Sequence, residues 1–403
     1  MKIAVEKRSI VVPGFRFAGV ACGIKLSGKK DLSLIVSDVP ATAVAAFTTN
    51  RVKAAPVLIG QKRITAGQLQ AVVINSGNAN ASTAQPGLRL AQNACALVGQ
   101  ALGIAETLVL PSSTGKIGVL PPWEKMATGI RIACRMLSPR GFWKALAGIM
   151  TTDAFPKAAV RQILLGGRTI TVAGMAKGAG MINPNMATML CYVLTDASVE
   201  RKVLQQVLEG CLPDTFNAIS VDGDTSTNDT LLLLANGVAG NQTIRRSSGK
   251  DFSVLKTAIE EVLRDLARLV VKDGEGATRV VDIFVRGAKT ATDAQKVARA
   301  VAYSPLVKTA FYGGDPNWGR IACAVGYAGA LVEQDKLDIA VGDVPIGHNG
   351  MSTGEDSERK AALVMRQPEF SITIDLHCGR ATARVVTSDL SVGYVRFNSA
   401  YST

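Results

Sequence analysis

From Gly174 to Leu190 the chain reads GMAKGAGMINPNMATML. Gly174, Gly178 and Gly180 allow a loop to fold closely. Lys177 puts a fixed positive charge inside it, and Thr188 follows the small residue Ala187. A threonine hydroxyl needs a base beside it to act as a nucleophile. The 403-residue chain has two histidines, His348 and His377, so catalysis must do almost entirely without imidazole. That count weakens every Ser-His-Asp, Cys-His and His-metal scheme. Another solution is a threonine whose own α-amine is freed by cleavage of the bond before it. Such an amine has an unperturbed pKa of roughly 7.7–8, close to working pH. Ala187 would let a tight turn form at the scissile bond. On spacing alone, a structural glycine loop around a buried threonine accounts for the same residues.

Other spacings fit known chemistry less well. Gly23-Ile-Lys-Leu-Ser-Gly28-Lys29-Lys30 approaches a phosphate-binding loop, but its last position is Lys where a magnesium-ligating hydroxyl is needed. A nucleotide-binding module would have to rest on this segment, and on Lys29 in particular. Asp222-Gly-Asp224-Thr-Ser-Thr-Asn-Asp229 begins like a calcium loop, yet it lacks glycine at the sixth position and has Leu233 at the twelfth. A capped turn accounts for it better, so Asp222, Asp224 and Asp229 are assigned to structure. Trp318 and Arg320 are assigned to structure too, with an aspartate–arginine pair locking their loop. No G-x-G-x-x-G follows a strand. The seven cysteines form no C-x-x-C pair, which argues against zinc and against a disulfide framework.

The elements that must position these residues are mixed. Strands are expected at Leu32–Val36, Gln70–Ile74, Arg168–Val172, Thr230–Ala235, Val280–Val285, Phe370–Leu376 and Ala381–Val386. Helices are expected at Leu88–Leu102 with Gly103 as the stop, at 200–210, at Phe252–Val271 and at Asp293–Tyr303. A glycine-dense turn is expected from Gly174 to Gly180. The alternation has no clean βαβ repeat and no internal repeat, which points to α+β or layered α/β packing. A boundary near Gly287 divides the chain into a main layered domain, 1–287, and a smaller C-terminal α+β domain, 288–403.

Lys and Arg exceed Asp and Glu by 45 − 32 = 13, but the basic residues are scattered and aromatics make up only 5%. That is a basic solvated surface and not a nucleic-acid footprint. No apolar run is long enough to span a bilayer, and the start, Met1 to Arg16, lacks a signal-peptide core. The expected location is the cytoplasm, with no membrane partner.

Residues 176–190, AKGAGMINPNMATML, resemble the self-cleavage signature of the ornithine acetyltransferase family (ArgJ, the glutamate N-acetyltransferases). Further blocks resemble the family in family order: 75–80, 113–115, 150–153, 220–229, 273–278 and 315–320. The resemblance implies a layered α/β sandwich of the ArgJ/DmpA-like type with N-terminal-nucleophile-style self-cleavage. The cut would fall between Ala187 and Thr188, giving an α chain, 1–187, and a β chain, 188–403. Thr188 would take the acetyl group of N-acetylornithine and pass it to glutamate in a ping-pong cycle. Thr114 and Gly115 match the family's oxyanion hole. Thr151 or Thr152, Lys177, Glu275, Asn398 and Thr403 match positions that hold substrate. A lysine suits the substrate carboxylate and a glutamate the amino group of ornithine. The resemblance implies an α2β2 assembly, no metal and no cofactor. Acetyl-CoA stays open as a co-substrate, although nothing here resembles a loop for its pyrophosphate, which favours acetyl recycling alone.

The chain departs from the family pattern in three places. Ala81-Ser-Thr-Ala-Gln-Pro86 replaces the usual step after Asn80, Lys116 stands where a small apolar residue is usual, and Ser391-Val-Gly393 lacks the usual tyrosine–aspartate step. Other enzymatic readings that keep the same cleavage chemistry are an N-terminal-nucleophile amidase or aminopeptidase, and a family paralogue in secondary metabolism.

Overall fold

The structure, a computed structural model, describes residues 9–183 and 189–400. In chain order its strands are β1 (Phe15–Val20), β2 (Leu32–Phe47), β3 (Gln68–Asn78), β4 (Val109–Lys116), β5 (Lys157–Leu165), β6 (Arg168–Lys177), β7 (Leu190–Thr195), β8 (Ile219–Ser220), β9 (Thr230–Ala235), β10 (Val280–Ala288), β11 (Asp338–Val341), β12 (Val344–His348), β13 (Met351–Ser352), β14 (Glu369–Asp375) and β15 (Ala381–Ser388). They form two sheets. The first runs β4-β3-β2-β9-β7-β6-β5, and the second β13-β12-β11-β14-β10-β15-β8. The long β2 pairs with β1 along its first half and with β9 along its second, and its pairing with β3 shifts register between Val36 and Ala41.

The centre of the first sheet is covered on both faces, and its strands read accordingly. β7 (LCYVLT) and β9 (TLLLLA) are buried at every position. Leu231 and Leu233 point into one core with helices Arg201–Cys211 and Lys250–Lys272. Leu232 and Leu234 point into the opposite core, beside Phe15, Phe17, Tyr192 and helix Phe142–Ile149. Helix Lys250–Lys272 buries Leu255, Ile259, Val262, Leu263, Leu266 and Val270, spaced by three and four, against β5 and β6. Two parallel pairs occur in this otherwise antiparallel sheet. β3 and β4 are bridged by helix Ala84–Leu102, and β7 and β9 by helix Arg201–Cys211. The protein is a layered α/β sandwich of mixed sheets.

Two local expectations are corrected. The turn expected from Gly174 begins later, because β6 continues to Lys177. Gly174 is a strand residue over which helix Lys250–Lys272 passes closely: a Cβ there would fall 2.7 Å from Leu266 Cδ1 and 2.8 Å from Val262 Cγ1. The loop before helix Trp318–Gly326 is not locked by an aspartate–arginine pair. Asn317 caps that helix by accepting the Arg320 N–H at 3.1 Å, Asp315 accepts from Asn317 Nδ2, and the Arg320 guanidinium donates to the Leu306 carbonyl at 2.9 Å.

Both histidines lie beside the second sheet's Asp338: His348 ends β12, and His377 is in the loop after β14. His348 Nδ1 lies 2.9 Å and His377 Nε2 3.0 Å from the two carboxylate oxygens of Asp338 at the start of β11. Among the described residues no helix is long and apolar enough to cross a membrane.

Candidate active site

Several strand and helix ends of the first sheet open on one cavity of about 140 Å³. β4 delivers Thr114 and Gly115 to its wall, and β6 delivers Lys177. The turn after helix Phe142–Ile149 brings both Thr151 and Thr152. The loop after helix Lys250–Lys272 brings Glu275, and helix Val392–Ala400 brings Asn398. Residues that are hundreds of positions apart in the chain therefore meet here. Ala187, Thr188 and Thr403 lie outside the described residues.

At the end of β4, backbone geometry requires glycine. Gly115 has φ +126°, and a Cβ on it would fall 2.4 Å from the Gly77 carbonyl carbon on β3. The Thr114 hydroxyl accepts from Lys177 Nζ at 2.9 Å. With its oxygen engaged, that hydroxyl keeps its own proton to donate into the cavity. A hydroxyl donor next to a close-approaching glycine backbone is the pattern that stabilises a developing oxyanion.

A buried charge network fixes the cation. Asp153 Oδ1 accepts from Lys157 Nζ at 2.6 Å and from the Gly178 N–H at 2.8 Å, while Oδ2 accepts the Thr151 N–H at 2.8 Å. One carboxylate thus ties the end of β6 to the turn carrying the two threonines. Burial alone would raise the Asp153 carboxyl, but Lys157 and Lys177 bring it down to about 2. Lys157 is fully buried between Asp153 and Asp273. Burial pushes Asp273 up in spite of that lysine. Burial likewise pushes the Lys177 ammonium down, and the Asp153 carboxylate opposes the shift.

The rest of the charged lining is acidic. Gly180 has no side chain where Glu275 comes in: a Cβ there would fall 2.3 Å from Glu275 Oε2. The Glu275 N–H donates to Ala179 O at 2.8 Å, and Asn398 Nδ2 donates to Glu275 Oε2 at 3.1 Å. Asp222, Asp224 and Tyr394 line the cavity too. Burial raises the Tyr394 phenol, and the charges of Asp222, Asp224 and Glu275 add to the shift. The lining thus holds both a cation, Lys177, and carboxylates, Asp222, Asp224 and Glu275, so a molecule with a carboxylate and an ammonium finds a partner of opposite charge for each.

Sequence reasoning did not anticipate Asp153, Lys157 or Tyr394 in these roles, and it gave Asp222 only a structural one. Asp222 lies on the cavity wall and also clamps the chain, accepting the N–H groups of Met181 at 2.6 Å and Ile182 at 2.8 Å. Its carboxylate is satisfied by backbone, as the capped-turn reading requires. Met189, on the other side of 184–188, accepts the Thr230 N–H at 3.1 Å. The signal for Asp222 was in the sequence, because an Asp-Gly-Asp turn offers a carboxylate to neighbouring backbone. Lys157 gave no such signal, since nothing in a lone lysine at a strand start announces burial.

The Gly23–Lys30 segment does not form a phosphate cradle. The N–H groups of Cys22 and Lys25 both donate to the fully buried Asp31 carboxylate, at 2.7 and 3.0 Å. A phosphate there would face a fixed negative charge instead of free donors.

The two-sheet fold and this cavity, with a hydroxyl–glycine donor pair, a held lysine and an opposing carboxylate, define an enzyme built for group transfer. The ArgJ family profile matches residues 16–403. The chain belongs to the ArgJ family and is a transferase of arginine biosynthesis. It is 50% identical to the arginine biosynthesis bifunctional protein ArgJ of Geobacter sulfurreducens, over 97% of this chain and 100% of that one. It is 48% identical to the protein of the same description from Caldanaerobacter subterraneus subsp. tengcongensis, over 97% of each chain. A crystal structure of arginine biosynthesis bifunctional protein argJ from Bacillus halodurans is 40% identical with a TM-score of 0.50, covering 52% of this chain and 98% of that chain.

Proposed function

We propose that the protein transfers an acetyl group from N2-acetyl-L-ornithine to L-glutamate through an acetyl-Thr188 intermediate, after cutting itself between Ala187 and Thr188. The observation that carries this reading is the arrangement of the cavity walls. Thr114 and Gly115 stand ready for an oxyanion, Lys177 for a carboxylate and Glu275 for an ammonium. N2-acetylornithine carries its carboxylate and its acetamido group on one carbon and an ammonium at the end of the side chain; glutamate offers an amine as acyl acceptor.

In the first half-reaction the Thr188 oxygen attacks the acetyl carbonyl, its proton passes to the free α-amine, and the amide nitrogen of ornithine leaves with a proton. In the second half-reaction the glutamate amine attacks the acetyl ester and threonine is restored. The solved Bacillus halodurans chain supports the cut, since 52% of this chain spans 98% of it. Cleavage at 187/188 would give pieces of 187 and 403 − 187 = 216 residues, each near half. The cleaved chains are proposed to work as a cytoplasmic α2β2 assembly, with Thr151, Thr152, Asn398 and Thr403 as substrate contacts.

A second activity, with acetyl-CoA as the acetyl donor to glutamate, is favoured by the description of both relatives as bifunctional. The test is incubation with N-acetylornithine, with and without glutamate, and in parallel with acetyl-CoA, following acetylglutamate. Acetate release indifferent to glutamate would replace this reading with amide hydrolysis. Intact mass of wild type against Thr188→Ala tests the cut: two fragments are expected in the first and one full-length chain in the second.

A further inference from the structure

We infer that Lys25 is a positioning residue for substrate binding, one that fixes the turn carrying Thr151 and Thr152 into the cavity; this rests on the acetyltransferase reading above. The turn follows helix Phe142–Ile149, whose last carbonyls need partners from outside the helix. Ser76 Oγ donates to Gly148 O at 2.6 Å. Lys25 Nζ, from a segment 125 residues away, donates to Met150 O at 2.6 Å. The next groups along the turn are held too: the Thr151 N–H by Asp153, and the Ala154 N–H by Asp273 at 3.0 Å. From Gly148 to Ala154 the backbone is pinned by four side chains, and Lys25 is the only cation among them.

Lys25 is itself held in place. Its own N–H donates to the buried Asp31 carboxylate, and its ammonium makes a second bond to Lys30 O at 2.8 Å. Gly77, on the strand beside the oxyanion-side Gly115, leaves room for Ile24: a Cβ there would fall 2.9 Å from Ile24 Cγ2. The segment that resembled a phosphate loop thus braces two walls of the cavity at once. Its lysine at 25 points inward as a donor at a helix C-terminus, where a positive charge is favoured. Leu26, by contrast, is fully exposed.

The test compares Lys25→Met and Lys25→Arg with wild type in the acetylornithine–glutamate assay, and adds a double-mutant cycle with Thr151→Ala/Thr152→Ala. Losing a charge-assisted bond should raise KM for N-acetylornithine by about tenfold, with kcat changed much less. Arginine should restore part of the loss. In the cycle, Lys25→Met should add little to the double-threonine variant, because both changes remove one function. An unchanged KM, or fully additive effects, overturns the inference, whatever happens to the melting temperature. If Lys25→Met does not fold, Lys25→Gln, which keeps one donor, carries the same cycle. Wild type without acetyl transfer sinks the acetyltransferase reading itself, a result distinguishable from wild-type transfer with an indifferent Lys25.

Discussion

The Asp222 carboxylate accepts the Met181 N–H at 2.6 Å, tying the chain just ahead of Ala187–Thr188 to the 220–225 segment. Ile182 makes a second bond to the same carboxylate, Asn183 Nδ2 donates to Gly223 O at 2.7 Å, and Tyr303 OH donates to Asn183 Oδ1 at 2.6 Å. Residues 181–183 are therefore held from outside their own segment.

The proposed self-cleavage would depend on that hold, because attack on a peptide carbonyl needs the reacting atoms held in line. Replacing Asp222 with alanine removes both backbone bonds. The uncut fraction, read by intact mass over time after synthesis, should rise, with cleavage slowed on the order of tenfold or more. Wild-type processing kinetics in this variant would separate Asp222 from the cut.

Gly115→Ala should damage turnover more than stability. The added Cβ meets the Gly77 carbonyl and forces the donor at 115 away from the cavity. Loss of one oxyanion donor costs about 10²–10³ in kcat. Steady-state kinetics beside a thermal melt provide the check, and a kcat within about twofold of wild type would contradict the assignment of Thr114 and Gly115.

Glu275→Gln removes the charge and leaves the shape. If Glu275 receives the ornithine ammonium, KM for N-acetylornithine should rise by about tenfold while KM for glutamate moves far less. Equal shifts for both substrates would place Glu275 in a general structural role.

Acid should loosen the charge network in a defined window. The folded Asp153 carboxyl, at about 2, lies below its ordinary 3.8. Its contribution is fully present above the unfolded value and is lost as pH falls through the folded one. Urea denaturation of wild type from pH 5 down to about 2 should show stability falling, and Asp153→Asn should flatten that slope. At neutral pH the same variant breaks a buried pair and should cost about 3 kcal/mol, the low end for such a change, because Asp273 still faces Lys157.

The sequence made some of this legible and not the rest. β9 was readable end to end, because a strand buried on both faces is written as an unbroken apolar run. Helix Lys250–Lys272 was readable from its spacing. β4 was not read as a strand: Val109-Leu-Pro-Ser-Ser-Thr-Gly-Lys116 has three polar residues in a row before a glycine, and parallel pairing with β3 is what orders it. Gly174 was read as a turn because its reason lies in Val262 and Leu266 of a helix much later in the chain. Thr114, Gly115, Lys177, Glu275 and Asn398 came from resemblance, and the structure brings them to one cavity. Lys157 meets Asp273, and Lys25 meets Met150 O, across more than a hundred residues, so no local pattern encodes either contact.

Both imidazoles of the protein are committed to Asp338 on the second sheet, and neither lines the cavity. Their ring-proton resonances are therefore a two-signal reporter of the surroundings of Asp338. A turnover profile that bends between about pH 6 and 7 could not be credited to histidine at the site. Movement of either resonance on adding substrate would mean that filling the cavity is felt across the body of the protein.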